Sequence, residues 1–325
     1  MPLISLVVPC CNEEESLPAF FEEARRAMAS MEAEWPGLRF EVVLVDDGSS
    51  DGTLGVMRAV AAGDVAGAEV RWVSFSRNFG KEAALLAGLR EARGDYVATM
   101  DADLQDPPAL LPEMYRILQE GDCDNVATRR VDRVGEPVVR SACARLFYKL
   151  INRISSADIV DGARDYRLMR RRMVDGILSL GEYNRFSKGI YGWVGFKTHW
   201  LPFENVERVA GETKWSFWGL LRYSLEGIVA FSTAPLSVAS LSGIVLCLVS
   251  LVFALVIVVR TLLFGDPVAG WPSLACIVLF VGGLQLFCLG IMGQYLAATY
   301  LEAKGRPLYL VRERSDDDAR GDDGV

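Results

Sequence analysis

The sequence has little of the residues that several common chemistries need. It contains one histidine, His199, which lies in an alternating segment and is interpreted as a strand residue rather than a catalyst. Its seven cysteines, an odd number that includes the adjacent Cys10 and Cys11, form neither a disulfide framework nor a CxxC metal pattern. No Gly-x-Gly-x-x-Gly run occurs, so a dinucleotide-binding fold gains no support. The cysteine usage fits a reducing, cytosolic environment.

Two further absences bear on location and partners. The apolar stretch after Met1, residues 3–8, is short and has no basic region before it, so we expect no signal peptide. The net charge of −8 argues against a nucleic-acid partner. Much of that acidity lies after Arg314, in SDDDARGDDGV, a composition that predicts disorder.

Charge is also missing from two long stretches, residues 227–259 and 267–301. Each is longer than the ~20 apolar residues that a helix needs to cross a bilayer. Buried core helices are the alternative, but residues 237–259 show no polar stripe, which favours two membrane spans. Basic residues follow the second span, so the positive-inside rule places both termini in the cytoplasm, with Arg260 as the one dissenting charge. These basic residues are Lys304, Arg306, Arg312 and Arg314.

The first hundred residues alternate between two hydrophobic patterns. Short apolar runs predict strands at 4–8, 40–45, 70–75 and 96–100, and helical periodicity predicts helices at 13–29 and 82–92. Such alternation is typical of a parallel sheet with helices on both faces. Ligands of such sheets bind at the carboxyl ends of the strands, and polar clusters follow each predicted strand.

The densest of these clusters is DADLQDPP, which follows the predicted strand at 96–100. Side chains alternate along a strand, so a strand that ends in Asp-x-Asp would project Asp101 and Asp103 to one side. Neighbouring carboxylates raise each other's pKa unless a cation lies between them. Mg²⁺ or Mn²⁺ bridging to a substrate diphosphate would supply that charge. Asp46 and Asp47 form a second acidic strand end.

Seven motifs occur in order along the chain: PCCNEEE (9–15), VDDGSSDGT (45–53), SRNFGKEAAL (76–85), DADLQDPP (101–108), GARDYRLM (162–169), NRFSKGIYGWVGF (184–196) and RVAGETKWS (208–216). Together they resemble family 2 glycosyltransferases, and within these the polyprenyl-phosphate group that contains bactoprenol glucosyltransferases and dolichol-phosphate mannose synthases. The ending YLEAKGRPLYLVRE (300–313) resembles the bacterial members with two membrane spans. The resemblance covers nearly all of the chain up to Glu313.

The resemblance implies a GT-A fold, which is an α/β class with a Rossmann-like mixed sheet and helices on both faces, plus two C-terminal transmembrane helices. It implies a cytoplasmic catalytic domain (1–204), an interfacial segment (205–236), two spans (237–302) and a cytoplasmic tail (303–325), in a multi-pass inner-membrane protein. Two segments suit a membrane surface. The basic face of a helix at 137–154 is either solvated or rests on anionic headgroups, and residues 215–231 are rich in aromatics.

The resemblance also implies roles for individual residues. The metal ligands would be Asp101 and Asp103, with Mg²⁺ or Mn²⁺ as the cofactor. Three basic residues, Arg129, Arg208 and Lys214, match positions that bind donor or acceptor phosphates. From its place in the loop before the third helix, and not from the resemblance, Lys81 is a further phosphate-binding candidate, although a surface Lys at a helix N-terminus is equally ordinary. The donor-binding set would comprise Pro9, Cys11, Glu13, Asp46, Asp47, Asp101, Ala102, Asp103, Gln105 and Arg129. The family usually has Tyr where Cys11 stands, which puts base stacking at that point in question.

The catalytic set implied by the resemblance is Asp165, Asp103 and Lys214, and the role of Asp165 stays open. Asp165 matches the proposed catalytic base of the family. A phosphate monoester has a second pKa of about 6, however, so the acceptor is mostly dianionic at cytosolic pH and hardly needs a base. Asp165 would then orient Arg167 or the acceptor, or tie down a loop through Arg164 or Arg167.

The function implied is transfer of a sugar, with UDP-glucose as the first choice of donor, to undecaprenyl phosphate. UDP-N-acetylglucosamine and GDP-mannose are alternative donors. A processive polysaccharide synthase would carry more spans and a Gln-x-x-Arg-Trp motif, which is missing, and a non-catalytic nucleotide-sugar binder would not need the full acidic and basic set. A flippase and a downstream transferase would be partners. Small residues at Gly283, Gly290 and Ala297 would either pack the two spans together or build a homo-oligomer.

Overall fold

The computed structural model describes residues 1–63, 65, 67–130, 160, 162–203, 232–264 and 270–316. These residues form an eight-stranded mixed sheet with helices on both faces, and two long apolar helices. The predicted fold class is therefore confirmed. The strands are β1 (Leu3–Cys10), β2 (Arg39–Asp46), β3 (Glu69–Phe75), β4 (Tyr96–Thr99), β5 (Asn125–Arg130), β6 (Ala163–Arg170), β7 (Thr198–Phe203) and β8 (Val311–Arg314).

Eight α-helices occur in the described residues, together with a 3-10 turn at Pro108–Leu110. They are α1 (Leu17–Glu34), α2 (Thr53–Ala61), α3 (Lys81–Glu91), α4 (Leu111–Glu120), α5 (Arg171–Leu178), α6 (Ser187–Trp193), α7 (Ala234–Phe264) and α8 (Trp271–Lys304). The predicted helix at 13–29 begins later, at Leu17, because the Glu13 amide donates to Thr53 Oγ1 (2.8 Å) and holds residues 13–16 in a loop. Helix α2 was not predicted.

The sheet has the strand order β7-β5-β6-β4-β1-β2-β3-β8, in which β6 and β8 run opposite to the other six strands. The carboxyl ends of six strands and the amino ends of β6 and β8 therefore lie along one edge, which we call the carboxyl edge. This arrangement brings the polar loops after β1, β2, β3 and β4 next to the start of β6. Strand β7 contains His199, as predicted.

Strands β1 and β2 are apolar on both sides because helices cover both faces of the sheet. Leu6 and Leu44 belong to a core layer shared with α1 and α4, whereas Val7 and Val45 belong to a second layer shared with α3. Helix α3 lies very close to the sheet, since a Cβ added at Gly88 would come within 2.2 Å of Val7 Cγ1. This close packing sets where the N-terminus of α3 meets the carboxyl edge.

Helices α7 and α8 are 31 and 34 residues long. Within them, Ala234–Phe253 and Phe280–Lys304 have mean hydropathies of 2.4 and 1.4, so both are long and apolar enough, by length and composition, to cross a membrane. The two helices touch where Cys288 Sγ lies 3.8 Å from the Ala239 carbonyl oxygen. A Cβ added at Gly283 or Gly290 would meet no described atom within 4 Å, so these two glycines do not pack against the described part of α7.

The chain after α8 returns to the eight-stranded sheet. Glu302 Oε1 accepts a hydrogen bond from the Tyr183 amide (2.8 Å), and β8 pairs antiparallel with β3. The tail that was predicted as a separate segment thus contributes an edge strand. The Ser315 amide donates to the Trp72 carbonyl (3.0 Å), so this first residue of the acidic tail is held in place, and residues 317–325 lie outside the described part of the chain.

Candidate active site

The loop after β2 is braced by its own carboxylates. Asp46 Oδ2 accepts from Ser74 Oγ (2.6 Å) and Asp46 Oδ1 accepts from the Ser49 amide (2.9 Å). Gly48 has a φ of +63°, and a Cβ there would lie 2.3 Å from the Arg77 carbonyl carbon, so only glycine fits. Asp46 therefore ties the ends of β2 and β3 together, and its contact with a nucleoside stays a prediction.

Asp47 holds the next loop. Its Oδ1 accepts from the Phe79 amide (2.6 Å) and its Oδ2 from the Gly80 amide (2.9 Å). Burial raises the pKa of Asp47; these backbone donors lower it and the Asp46 charge raises it, and the net shift is upward. The same two amides position Lys81, the first residue of α3, at the carboxyl edge.

The loop after β1 carries three predicted donor-binding residues. Pro9 is the second-to-last residue of β1. Cys11 Sγ accepts from Asn78 Nδ2 (3.2 Å), and the Glu13 carboxylate accepts from Ser16 Oγ. At the position where the resembled family has Tyr, the half-buried Cys11 side chain thus contacts the loop after β3. These contacts join the first three loops into one wall of the site.

The turn after β4 differs from its prediction. The strand ends at Thr99, so Asp101 and Asp103 lie in a turn and not on a strand, and the alternation argument does not apply to them. Ala102 is buried in the core layer of α1 and α4, and Leu104 has a φ of +59°. Burial of these two apolar side chains at alternating positions of the turn is what leaves Asp101 and Asp103 at the carboxyl edge.

The centre of the site is a lysine between two carboxylates. Lys81 Nζ lies 2.8 Å from Asp101 Oδ2 and 2.8 Å from Asp165 Oδ2. Withdrawal from water alone would lower the pKa of Lys81, but the charges of Asp101 and Asp165 outweigh it and the pKa is raised well above its usual value. Burial alone would raise the pKa of Asp165, but Lys81 and then Lys188 outweigh it, so this pKa is lowered. Asp165 pairs with Lys81, and no ion pair joins it to Arg164 or Arg167.

Gln105 lies where the turn meets β6. Its amide donates to Asp103 Oδ1 (3.1 Å) and its Oε1 accepts from Arg164 Nη1 (3.5 Å). Arg164 also approaches Asp106, whose Oδ1 lies 3.9 Å from Arg164 Nε. Arg164 therefore links β6 to the turn that bears both predicted metal ligands.

Asp106 is a buried carboxyl group that was not predicted as part of the site. Burial, followed by the charge of Asp101, raises the pKa of Asp106 to about 7, against a lowering by Arg164. An unfolded Asp has a pKa of about 3.9, so between about pH 4 and pH 7 the folded protein binds more protons than the unfolded chain. The free energy of unfolding should therefore fall as pH rises through this window.

This fall should disappear in Asp106→Asn. From pH 4 to pH 8 the free energy of unfolding of the wild type should therefore fall, relative to that of the variant, by up to about 4 kcal/mol. Each pKa unit corresponds to about 1.4 kcal/mol. This difference is measured by thermal melts of both proteins across the pH range. EDTA in the buffer keeps metal away from Asp101. Equal pH slopes for the two proteins would contradict this assignment.

The remaining predicted residues lie at or beyond the edge of the described structure. Arg129, near the carboxyl end of β5, is exposed at the carboxyl edge. Arg208 and Lys214 lie outside the described residues, as do the predicted helix at 137–154 and the aromatic segment at 215–231.

The residues Asp101 and Asp103 suit a hard cation. Their carboxylates are oxygen donors, and Mg²⁺ typically takes one or two carboxylates and completes its shell with substrate phosphates and water. No group of three or more His, Cys, Asp or Glu side chains that could hold a metal occurs in the part of the chain that the structure describes. Substrate phosphates and water would supply the further ligands of a metal at these two carboxylates.

Comparisons with known proteins agree with the resemblance. The family model described as Glycosyl transferase family 2 matches residues 5–178. The prophage bactoprenol glucosyl transferase homolog of Escherichia coli (strain K12) is 40% identical over 309 residues, which is 95% of this chain and 98% of that protein. The bactoprenol glucosyl transferase of Shigella phage SfX is 41% identical over 96% of this chain and 99% of that protein.

The solved structures that resemble this chain have lower sequence identity to it than these two relatives. The crystal structure of mannosyl-3-phosphoglycerate synthase from Rubrobacter xylanophilus has a TM-score of 0.46 and 20% identity over 70% of this chain and 72% of that one. That TM-score is below 0.5, whereas the strand order and the family match both agree with the fold class.

Proposed function

Since the chain belongs to glycosyltransferase family 2, we propose that this glycosyltransferase moves one sugar, with UDP-glucose as the leading donor, to undecaprenyl phosphate at the cytoplasmic face of a membrane. The observation that carries the proposal is the 40% identity to a bactoprenol glucosyl transferase homolog over nearly the whole length of both chains. The Lys81–Asp101–Asp165 cluster supports it, because it supplies charged groups suited to a diphosphate donor.

The reaction would be a single inverting displacement. An oxygen of the lipid phosphate attacks the anomeric carbon of the sugar and forms the new C–O bond. The bond from that carbon to the donor diphosphate breaks, and its electron pair stays on the leaving diphosphate. Negative charge therefore builds up on the diphosphate, and placed cations stabilise such a transition state.

The chain would hold one of these cations, a metal ion, and would supply another, the ammonium group of Lys81. Asp101 and Asp103 would hold Mg²⁺ or Mn²⁺, which when bound neutralises charge on the diphosphate. Lys81 adds a placed ammonium group, held 2.8 Å from Asp101 and anchored on its other side by Asp165. The ion pairs keep the Lys81 ammonium in one position, so little reorganisation is needed when charge develops.

Asp165 would position Lys81 rather than remove a proton from the acceptor. Its lowered pKa makes it a weak base, and a phosphate monoester, with a second pKa of about 6, is already mostly dianionic near neutral pH. Pairing with Lys81 keeps Asp165 ionised and beside the reaction centre.

The membrane arrangement of the proposal uses α7 and α8 as spans. Basic residues after α8 favour a cytoplasmic catalytic domain by the positive-inside rule. The contact between Glu302 and the Tyr183 amide supports a catalytic domain held close to the membrane end of α8.

The test uses purified protein, undecaprenyl phosphate and Mg²⁺ or Mn²⁺. Radiolabelled UDP-glucose, UDP-N-acetylglucosamine and GDP-mannose are offered separately, and label is counted in the organic phase. We expect lipid label from UDP-glucose and its loss in EDTA. Label from one of the other donors would correct the sugar, whereas nucleotide binding without lipid label from any donor would overturn the proposal.

A further inference from the structure

A cavity lies beside the active site, between the sheet and α6. Its volume is about 240 Å³, and Arg167, Lys188 and Tyr191 contribute polar groups to its lining. The other lining residues are Val160, Ala163, Gly192, Gly195, Phe196, Thr198 and Trp200. Ala127 of β5 pairs with Arg167 of β6 on one side and with Trp200 of β7 on the other, so a small side chain separates two large ones across the sheet.

Two cations, Arg167 and Lys188, line this cavity, and the carboxylate whose charge acts on both is Asp165, which is already paired with Lys81. Arg167 is 2% exposed, and its Nε has no hydrogen-bond acceptor. Its Nη2 donates to the Arg164 carbonyl (3.2 Å), and its guanidinium lies 3.4 Å from the centroid of the Tyr191 ring. No ion pair joins Arg167 to a carboxylate in the described part of the chain. Burial of a cation is costly, and the one carboxylate of Asp165 is shared by Lys81, Lys188 and Arg167, so an anionic ligand would stabilise the two cations of the lining.

Apart from Thr198, the rest of the lining is apolar or aromatic. Trp200, Phe196 and Val160 offer the kind of surface on which a hydrocarbon group packs. A ligand with a phosphate at one end and a hydrocarbon chain at the other would match both parts. The polyprenyl phosphate acceptor has this chemistry.

The position of the cavity separates it from the donor side. The loops that follow β1, β2 and β3 lie in one half of the sheet, whereas the cavity lies over β6, β5 and β7 in the other half. Asp101 and Asp165 lie between the two halves. Asp165 and Arg167 project from the same face of β6, about 7 Å apart along the strand. A phosphate at Arg167 would therefore be near the reaction centre, on the side opposite the donor.

The chain connections also favour a lipid. Val160 follows residues 131–159, which include the predicted basic helix, and Phe203 at the end of β7 precedes the aromatic segment that was predicted to touch the membrane. Both segments lie outside the described residues. Val160 and β7 are thus close in sequence to the basic helix, which is either solvated or rests on anionic headgroups, and to the aromatic segment that suits a membrane surface.

We propose that this cavity binds the phosphate head and the first isoprene unit of the acceptor lipid, with the phosphate between Arg167 and Lys188 and the isoprene against Trp200. The inference deepens the proposed function and rests on its acceptor class. It assigns acceptor binding to residues separate from the diphosphate site at Asp101 and Asp103.

Equilibrium binding of radiolabelled undecaprenyl phosphate to the purified full chain in detergent tests this site without any donor. Lys188→Gln should weaken lipid phosphate binding at least tenfold and leave UDP-glucose affinity within twofold. The matched control is Lys197→Gln, since Lys197 is exposed and pairs with Asp122 outside the cavity, and it should change neither affinity. Thermal melts check that each variant folds.

Two further arms separate the possible ligands. Trp200→Ala should weaken the binding of undecaprenyl phosphate. It should not change the affinity for inorganic phosphate, measured as a competitor, because only the lipid contacts the indole. Arg167→Lys keeps the positive charge but loses the planar guanidinium with its paired N–H donors. It should weaken the binding of both undecaprenyl phosphate and inorganic phosphate. Lipid binding within twofold of wild type in Lys188→Gln, or weakened UDP-glucose binding in its place, would overturn the inference.

The outcome is separable from that of the proposed function. If undecaprenyl phosphate binds as described but no donor gives lipid label, the proposed function fails and the cavity assignment stands. If label is transferred while Lys188→Gln and Arg167→Lys bind the lipid normally, only the cavity assignment fails.

Discussion

Asp103→Ala is expected to lower kcat/KM for sugar transfer by about 10³ or more, because a metal ion at the diphosphate contributes several kcal/mol and each tenfold in rate corresponds to about 1.4 kcal/mol. Asp103 lies at the carboxyl edge, where its Oδ1 also accepts from the Gln105 amide. The alanine variant removes both a charge and a turn hydrogen bond.

Asp103→Asn separates these two losses, since the amide oxygen still accepts from Gln105 while the charge is gone. We expect the Asp103→Asn variant to lose nearly as much activity as the Asp103→Ala variant. Electron paramagnetic resonance of Mn²⁺ in the presence of UDP should show weaker metal binding in both variants. Asp122→Ala, at a carboxylate that is 98% exposed, is the control. Normal Mn²⁺ binding and activity within tenfold of wild type in Asp103→Asn would rule out Asp103 as a ligand.

Lys81→Met is expected to lower kcat/KM by roughly 10², in line with the loss of one charge-assisted contact in the transition state. The substitution keeps most of the hydrocarbon length and removes the ammonium group. Asp101 and Asp165 would then face each other without the cation that now lies 2.8 Å from each, and their mutual repulsion would oppose diphosphate binding.

The control and the decisive comparison use neighbouring positions. Lys197→Met should keep full activity, because Lys197 pairs only with the exposed Asp122 in the described residues. If Asp165 acts by holding Lys81 in position, Asp165→Asn should lower kcat/KM less than Lys81→Met does. The double variant should then have a kcat/KM only slightly below that of Lys81→Met alone. A much larger loss in Asp165→Asn than in Lys81→Met would restore the general-base role for Asp165.

Several elements were readable from residue pattern alone. β1, β2 and β3 were predicted to within two residues because strands buried on both faces must be apolar throughout. Helix α3 was predicted to within one residue at each end from its Ala- and Leu-rich run. In contrast, β8 consists of VRER, which carries no apolar run, and it forms a strand because the open edge of β3 provides backbone partners.

The site shows the same division. Asp101, Asp165 and Lys81 were each named from sequence motifs, but nothing in the motifs says that they meet. Their contact depends on antiparallel pairing of β4 with β6, in which Thr99 faces Arg167, and on the packing of α3 against β1. Arg167 and Lys188 also lie within motifs that the sequence displays, yet the cavity that joins them exists only after α6 covers β6.

The sequence by itself determined the family and two helices apolar enough for a membrane, and it named acidic and basic candidates for the site, because these depend on residue type and local spacing. Only the tertiary structure decided that Lys81 bridges Asp101 and Asp165, that the Asp-x-Asp pair lies in a turn, and that the chain after α8 rejoins the sheet. These features depend on contacts between residues far apart in the chain, where strand direction and helix packing set which side chains meet.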